Sequence, residues 1–204
     1  MPLLKPLTRE QVEPELAPLW DECERTYPDF RNPWATMAHS PIVFRHVWGQ
    51  LLALKRDSPV EARHFEIVIL VVSNATLCHY CVAHHTPRAL GTGLTAAQVT
   101  YLALLAGPGL ADDEALVAEH PGFDATDSLV IDLARLTVWA GLQAPHPRAV
   151  LRRRRRLFER RAAAFSSRQI EELVWRTTQC AAFNWHNELL ELDLEPEVSP
   201  VDER

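Results

Sequence analysis

Two cysteines, a histidine and a carboxylate stand in one apolar stretch, Glu66 to His85, with Cys78 and Cys81 three apart and His85 four beyond. On a helix at about 100° per residue, Cys78, Cys81 and His85 fall within roughly 60° of arc, so two thiols and an imidazole share a face. That group can carry out thiol redox chemistry or hold a metal. A cysteine at a helix start meets unpaired amides and the positive end of the macrodipole, which favour thiolate and can lower its pKa well below about 8.5. A thiolate that attacks a peroxide becomes a sulfenic acid, and a second thiol one turn away condenses with it to a disulfide. His85, one turn past Cys81, can accept the thiol proton, and Glu66 can orient or polarise that imidazole.

Those residues constrain the elements that carry them. Glu66 precedes Cys78 by twelve positions, so one unbroken helix would leave it about 120° from that cysteine. A break is required, and Ser73-Asn74-Ala75-Thr76 can supply it, with Thr76 as the expected N-cap of a second helix. Upstream, Ser58-Pro59-Val60-Glu61 reads as a capped start, with Ser58 as the cap of a helix of about fifteen residues. Phe65 to Val72 is rich in β-branched residues and would by itself suit a buried strand equally well; the cap decides for helix. Pro87 removes a helical hydrogen bond two residues past His85 and is expected to kink or restart the second helix.

The remaining chain reads as further helices. Thr8 and Gln11 have capping-box spacing, and apolar residues to Tyr27 mark a helix over about 14–26 with Cys23 as a small buried hydrophobe. Ser40-Pro41 opens another to about Arg56. Gly91-Thr92-Gly93 ends the thiol-bearing helix, and Thr95 to Gln98 opens the next, towards Leu105. A short acidic helix is expected over 112–120, an amphipathic one through Leu129 to Ala140, and a loop over 144–147. Arg152 to Arg156, with Arg148, Arg160 and Arg161, surround a helix axis and read as a solvated face or an anion, subunit or partner contact. Ser166 to Gln169 caps a long last helix, and the chain is expected to fray beyond Leu194 into an acidic tail, 195–204. The expected architecture is all-α: a single domain, 1–204, built as a bundle of about eight helices.

The whole-chain numbers exclude some classes. A net charge of −6 lacks the basic footprint of general nucleic-acid binding. No run reaches the ~18 apolar residues of a membrane span. The proline-broken, charged N-terminus lacks the apolar core of a secretory signal, so a cytoplasmic setting is expected. In such a reducing compartment four cysteines, two of them as Cys-x-x-Cys, are more suited to catalysis or metal binding than to a disulfide framework.

Glu66, Cys78-His79-Tyr80-Cys81 and His85, followed by Gly93-Leu94-Thr95 at a helix start, resemble the core of the alkylhydroperoxidase D family, within the carboxymuconolactone decarboxylase-like superfamily. The motif E-x11-C-x2-C-x3-H is matched at every defined position, and the likeness covers about 35–110. The resemblance implies an all-helical protein that assembles into trimers or hexamers and reduces hydroperoxides without a cofactor or metal. It makes Cys81 the peroxide-attacking thiol. Cys78 becomes the more accessible resolving thiol, which exchanges with a thiol or dithiol reductant, and His85 and Glu66 the proton relay. Some family members place a histidine just before the second cysteine, where this chain has Tyr80. Disulfide reduction and lactone decarboxylation are the alternatives on the same fold.

Two readings stand outside that resemblance. Zinc would need Cys78, Cys81 and His85 with Cys180 or His186 as a distant fourth ligand. A thioredoxin-like fold would need strands that the chain does not otherwise offer. Glu172 to His186 faintly echoes the motif, with Cys180 six residues before His186 but one cysteine missing. His186 and Asn184 can line the pocket through the last helix but stay outside the catalytic set, and His79 and His84 read as surface or interface histidines.

Overall fold

The computed structural model describes residues 2–105, 119–142, 152, 155–160 and 163–198. Among these the regular structure is helical throughout, without a strand, so the all-α expectation holds. The chain divides into two compact units, Met1–Ser58 with His186–Arg204, and Pro59–Trp185.

The first unit is built on aromatic packing. A 3-10 turn, Pro14–Leu16, leads into the helix Ala17–Thr26, which buries Trp20 and Cys23. Trp20 meets Trp34 edge-on with ring centroids 4.5 Å apart, and Phe44 joins them. Burial pushes the Cys23 thiol up to about 12, as suits a packing residue with no reactive role. Trp34 lies on Arg31–Met37, a short helix that the sequence reading passed over. Ser40 caps the next segment as expected, accepting from the Val43 amide. A π-helical stretch, Phe44–Trp48, then leads into the helix Gly49–Asp57.

The expected fraying does not set in directly past Leu194. Leu192 and Glu195 are buried, the Glu195 carboxylate accepts from the Asn32 amide at 2.8 Å, and the Asn32 side chain donates to the Asp193 carbonyl. A buried acid is held by a backbone donor some 160 residues away in sequence, which composition alone cannot reveal. Residues 199–204 lie outside the described residues.

The second unit is arranged around Ala62–Ala75, whose residues Ile67 to Ser73 are all buried. A helix apolar all round belongs in a core. It packs against His79–Gly91, Ala96–Leu104 and Ala125–Leu142. Its start differs from expectation. Pro59 holds Ser58 extended (ψ 134°), so Ser58 ends the preceding helix, and Glu61, also extended, occupies the N-cap position without a side-chain cap. In its first turn Arg63 clasps Asp127, with Nε 3.2 and 3.0 Å from Oδ1 and Oδ2 and Nη2 2.8 Å from Oδ2, while His64 Nε2 approaches Oδ1 at 3.4 Å. Burial opposes ionisation of Asp127, yet the bonds from His64 and Arg63 hold its carboxyl below the ordinary value.

Other caps fall where the sequence puts them. Thr95 and Gln98 form a full capping box, and Ser166 and Gln169 bond reciprocally at the start of Ser167–Leu189. The helix marked by Leu129 begins earlier, at Ala125, because Asp124 accepts from the Thr126 and Asp127 amides. Tyr101, His120 and Asp132 form a hydrogen-bonded chain of 2.8 and 3.1 Å that joins Ala96–Leu104 to Ala125–Leu142. The expected acidic helix over 112–120 lies mostly outside the described residues, as do the 144–147 loop, Arg148, Arg153, Arg154 and Arg161. Arg152, Arg155, Arg156 and Arg160 are helical and exposed, in keeping with a solvated face.

Candidate active site

The site starts at a corner. Ala62–Ala75 stops where Thr76 turns its hydroxyl back to the Val72 carbonyl at 2.9 Å, while its amide bonds the same carbonyl at 3.0 Å. Leu77 then adopts φ 57°, a left-handed conformation that costs a side-chain-bearing residue about 1–2 kcal/mol. The Cys78 amide donates to the Ser73 carbonyl at 2.9 Å, and His79–Gly91 begins. The break required between Glu66 and Cys78 is therefore present. Thr76, expected to cap the second helix, instead closes the first.

Cys78 is the N-cap itself. Its backbone is extended (ψ 94°) and its Sγ accepts from the Cys81 amide at 3.5 Å. Folding back over the helix start buries it completely, whereas Cys81 keeps 5% exposure. That corrects the expectation of Cys78 as the more accessible thiol. Neither is in a disulfide. With Cys78 Sγ 3.5 Å from the Cys81 amide, the two residues meet across the first turn of the helix.

His85 reaches back across the corner, and its Nδ1 lies 2.8 Å from Glu66 Oε2. Each side chain is only about a tenth exposed. Burial pushes the Glu66 carboxyl up, but the charge and hydrogen bond of His85, with Arg176 and Arg88 nearby, bring it below its ordinary value. Burial is also the largest influence on His85 and holds it below its ordinary value, against the upward pull of Glu66 and helped by Arg176 and Arg88. An isolated ion pair would raise the imidazole; here desolvation and two arginines outweigh that. The pair at neutral pH is thus carboxylate and neutral imidazole. A carboxylate only accepts, so Nδ1 carries the hydrogen and Nε2 the basic lone pair.

Pro87 does not restart the helix, which runs unbroken to Gly91. His79 is exposed as expected, but His84 is buried, stacked on Tyr80 at 4.1 Å with Nδ1 donating to the Tyr80 carbonyl. Tyr80 and His84 therefore brace the helix from within, a pairing at i and i+4 that the sequence reading did not use.

The last helix supplies contacts to the corner that the sequence does not disclose. Fully buried Asn184 donates to Thr76 Oγ1 at 2.7 Å and to Ser73 Oγ at 3.3 Å, pinning both ends of the corner. Cys180 lies one turn earlier, its Sγ 3.6 Å from Ser73 Oγ and 3.7 Å from Asn184 Oδ1. Burial pushes its thiol up to about 11, so it stays protonated. The faint echo over Glu172 to His186 was the signal available, and it pointed to Cys180 without disclosing a role. His186 falls in the other unit, hydrogen-bonded to Asn187. For the zinc alternative, no group of three His, Cys, Asp or Glu side chains among the described residues is placed to hold an ion. Nor, among those residues, is any helix long and apolar enough to cross a membrane.

Residues 43–120 match the carboxymuconolactone decarboxylase family. The likeness read from the motif holds at that level. No curated protein matches the chain significantly. Among solved structures, the chain resembles a variant of the debrominase Bmp8 in complex with 2,3,4-tribromopyrrole, at 16% identity and a TM-score of 0.68, over 95% of this chain and 92% of that one. It also resembles an uncharacterized peroxidase-related protein from Silicibacter sp. TM1040, at 15% identity and a TM-score of 0.64, over 95% of this chain and 93% of that one. At these identities the likeness is one of fold.

Proposed function

From a segment of carboxymuconolactone decarboxylase type carrying two thiols at a helix start, we propose a thiol-dependent peroxidase in which Cys78 and Cys81 form the redox pair and His85 and Glu66 the proton relay. The observation that carries this reading is the 2.8 Å bond from His85 to Glu66, made across the corner that also sets Cys78 against the Cys81 amide. An ionised carboxylate fixes the imidazole tautomer, and the neutral ring is the form a general base needs.

His85 takes the Cys81 proton, and the thiolate attacks one peroxide oxygen; the S–O bond forms, the O–O bond breaks, and the proton leaves with the alcohol or water. Cys78 then attacks the sulfenic sulfur, forming the disulfide and releasing water. A dithiol reductant supplies two electrons and two protons to restore both thiols. Since both sulfurs are nearly or wholly buried in the chain, a small dithiol or a partner that opens the corner suits the last step. A cytoplasmic setting, and a homotrimer or homohexamer acting on neither nucleic acid nor membrane, complete the proposal.

A second reading uses the same thiols on a halogenated ring, and the fold shared with a debrominase favours it. The thiolate takes the halogen, the ring carbon gains a proton, and Cys78 displaces halide to form the same disulfide.

The test assays purified protein with dithiol reductant and either cumene hydroperoxide or a brominated pyrrole. Cys81→Ser abolishes turnover, while Cys78→Ser forms sulfenic acid at Cys81, trapped by dimedone and read by mass spectrometry, but does not cycle. Full activity in both variants refutes a thiol mechanism. Bromide release without peroxide turnover moves the assignment to dehalogenation.

A further inference from the structure

Beside the corner lies a partly enclosed cavity of about 160 Å³, walled by Thr76, Thr137, Val138, Thr177, Thr178, Ala181 and Trp185. Four of these seven residues are threonines, yet the lining is almost wholly apolar. The hydrogen bonds give the reason. Thr76 donates its hydroxyl to the Val72 carbonyl, Thr137 to Leu133, Thr177 to Leu173 and Thr178 to Trp175, at 2.6–2.9 Å. Thr76 Oγ1 also accepts from Asn184. Each hydroxyl is spent on its own helix, which leaves the methyl groups for the cavity.

We propose that this cavity seats the apolar group of the substrate, an aryl ring or a branched alkyl group of about six carbons. The inference rests on the thiol-site reading and gives it a substrate class. The volume is close to the roughly 150 Å³ that accommodates benzene in a protein interior. Polar substrates gain little there, because every lining threonine hydroxyl has already donated its one proton to its own helix. The position also fits. Thr76 is both a wall of the cavity and the residue two before Cys78, so the two Cα atoms are at most about 7.6 Å apart. Along the last helix Thr177, Ala181 and Trp185 recur at i, i+4 and i+8 and form one continuous wall. Ala181 is its smallest member and sets the space available.

Filling that space is the test. Ala181→Phe, and Ala181→Leu as a milder filler, are compared with wild type for kcat/KM on cumene hydroperoxide and on hydrogen peroxide. The ratio of the two falls at least tenfold in Ala181→Phe and by a smaller factor in Ala181→Leu, since a hydrophobic pocket discriminates by roughly 10- to 200-fold per group admitted or refused. An unchanged ratio in both variants overturns the proposal. Binding of cumyl alcohol, followed by quenching of tryptophan fluorescence, separates this idea from the peroxidase assignment. If wild type turns over no peroxide but binds cumyl alcohol saturably, and Ala181→Leu weakens that binding at least threefold, the activity fails and the cavity stands. If wild type does not bind it, the cavity assignment fails whatever the activity.

Discussion

Glu66→Gln keeps the shape of the carboxylate and removes its charge, which makes it the sharpest probe of the relay. A hydrogen bond to an ionised group contributes about 1.5–3 kcal/mol against about 1 kcal/mol for a neutral pair. The variant should therefore lose about 1–2 kcal/mol at the His85 bond, roughly 5- to 30-fold in plateau kcat/KM where the imidazolium forms in the transition state. The pH profile carries the sign. In wild type His85 titrates below 6.5 because burial outweighs the upward pull of Glu66. Without the carboxylate charge that pull is lost, so the acid limb moves to still lower pH while the plateau falls. Stability gives an independent reading. A His85 depressed in the folded state binds its proton more readily when unfolded, so wild-type stability falls as pH drops below about 6.5; Glu66, also depressed, adds a second loss below 4.5. In Glu66→Gln the first loss deepens and the second disappears. Urea titrations at pH 7.5, 5.5 and 3.5, with kcat/KM over the same range, check both. An unchanged plateau, or an acid limb that moves upward, refutes the relay.

Three further substitutions test the frame around the site. Asn184→Ala removes two hydrogen bonds to the corner and leaves a small void, so it should lower stability by about 2–4 kcal/mol in urea unfolding and slow turnover; a loss under about 0.5 kcal/mol would show the clamp to be idle. Leu77→Gly relieves a left-handed backbone at a side chain 73% exposed, and should raise stability by about 1 kcal/mol, visible as a higher urea midpoint. If it destabilises instead, the Leu77 side chain makes contacts that outweigh the backbone cost. Asp127→Asn leaves Arg63 without its anion and should cost about 2–4 kcal/mol at pH 7, a difference that shrinks on acidification as wild-type Asp127 protonates below 3.8; an equal loss at pH 3 would contradict the charge argument.

The parts legible in the sequence were those fixed by near neighbours. Glu66, Cys78, Cys81 and His85, the need for a break between the first two, and the caps at Thr95 and Ser166 all follow from helical spacing or from side chains bonding amides three residues away. The corner was placed correctly while its cap was not. Thr76 and Cys78 can both cap, and the choice went to Cys78 once Asn184 and the Val72 carbonyl had occupied the Thr76 hydroxyl. The tertiary structure alone decided what depends on distant partners: that His85 meets Glu66, that burial and two arginines keep its ring neutral, and that Asn184 pins the corner. It decided equally that Glu195 docks on Asn32, and that four threonines present methyl groups to one cavity. Periodicity reports which face a residue occupies and not what lies opposite. The reactive residues of this protein were therefore readable from the chain, while their protonation, their exposure and the space offered to a substrate were set by packing.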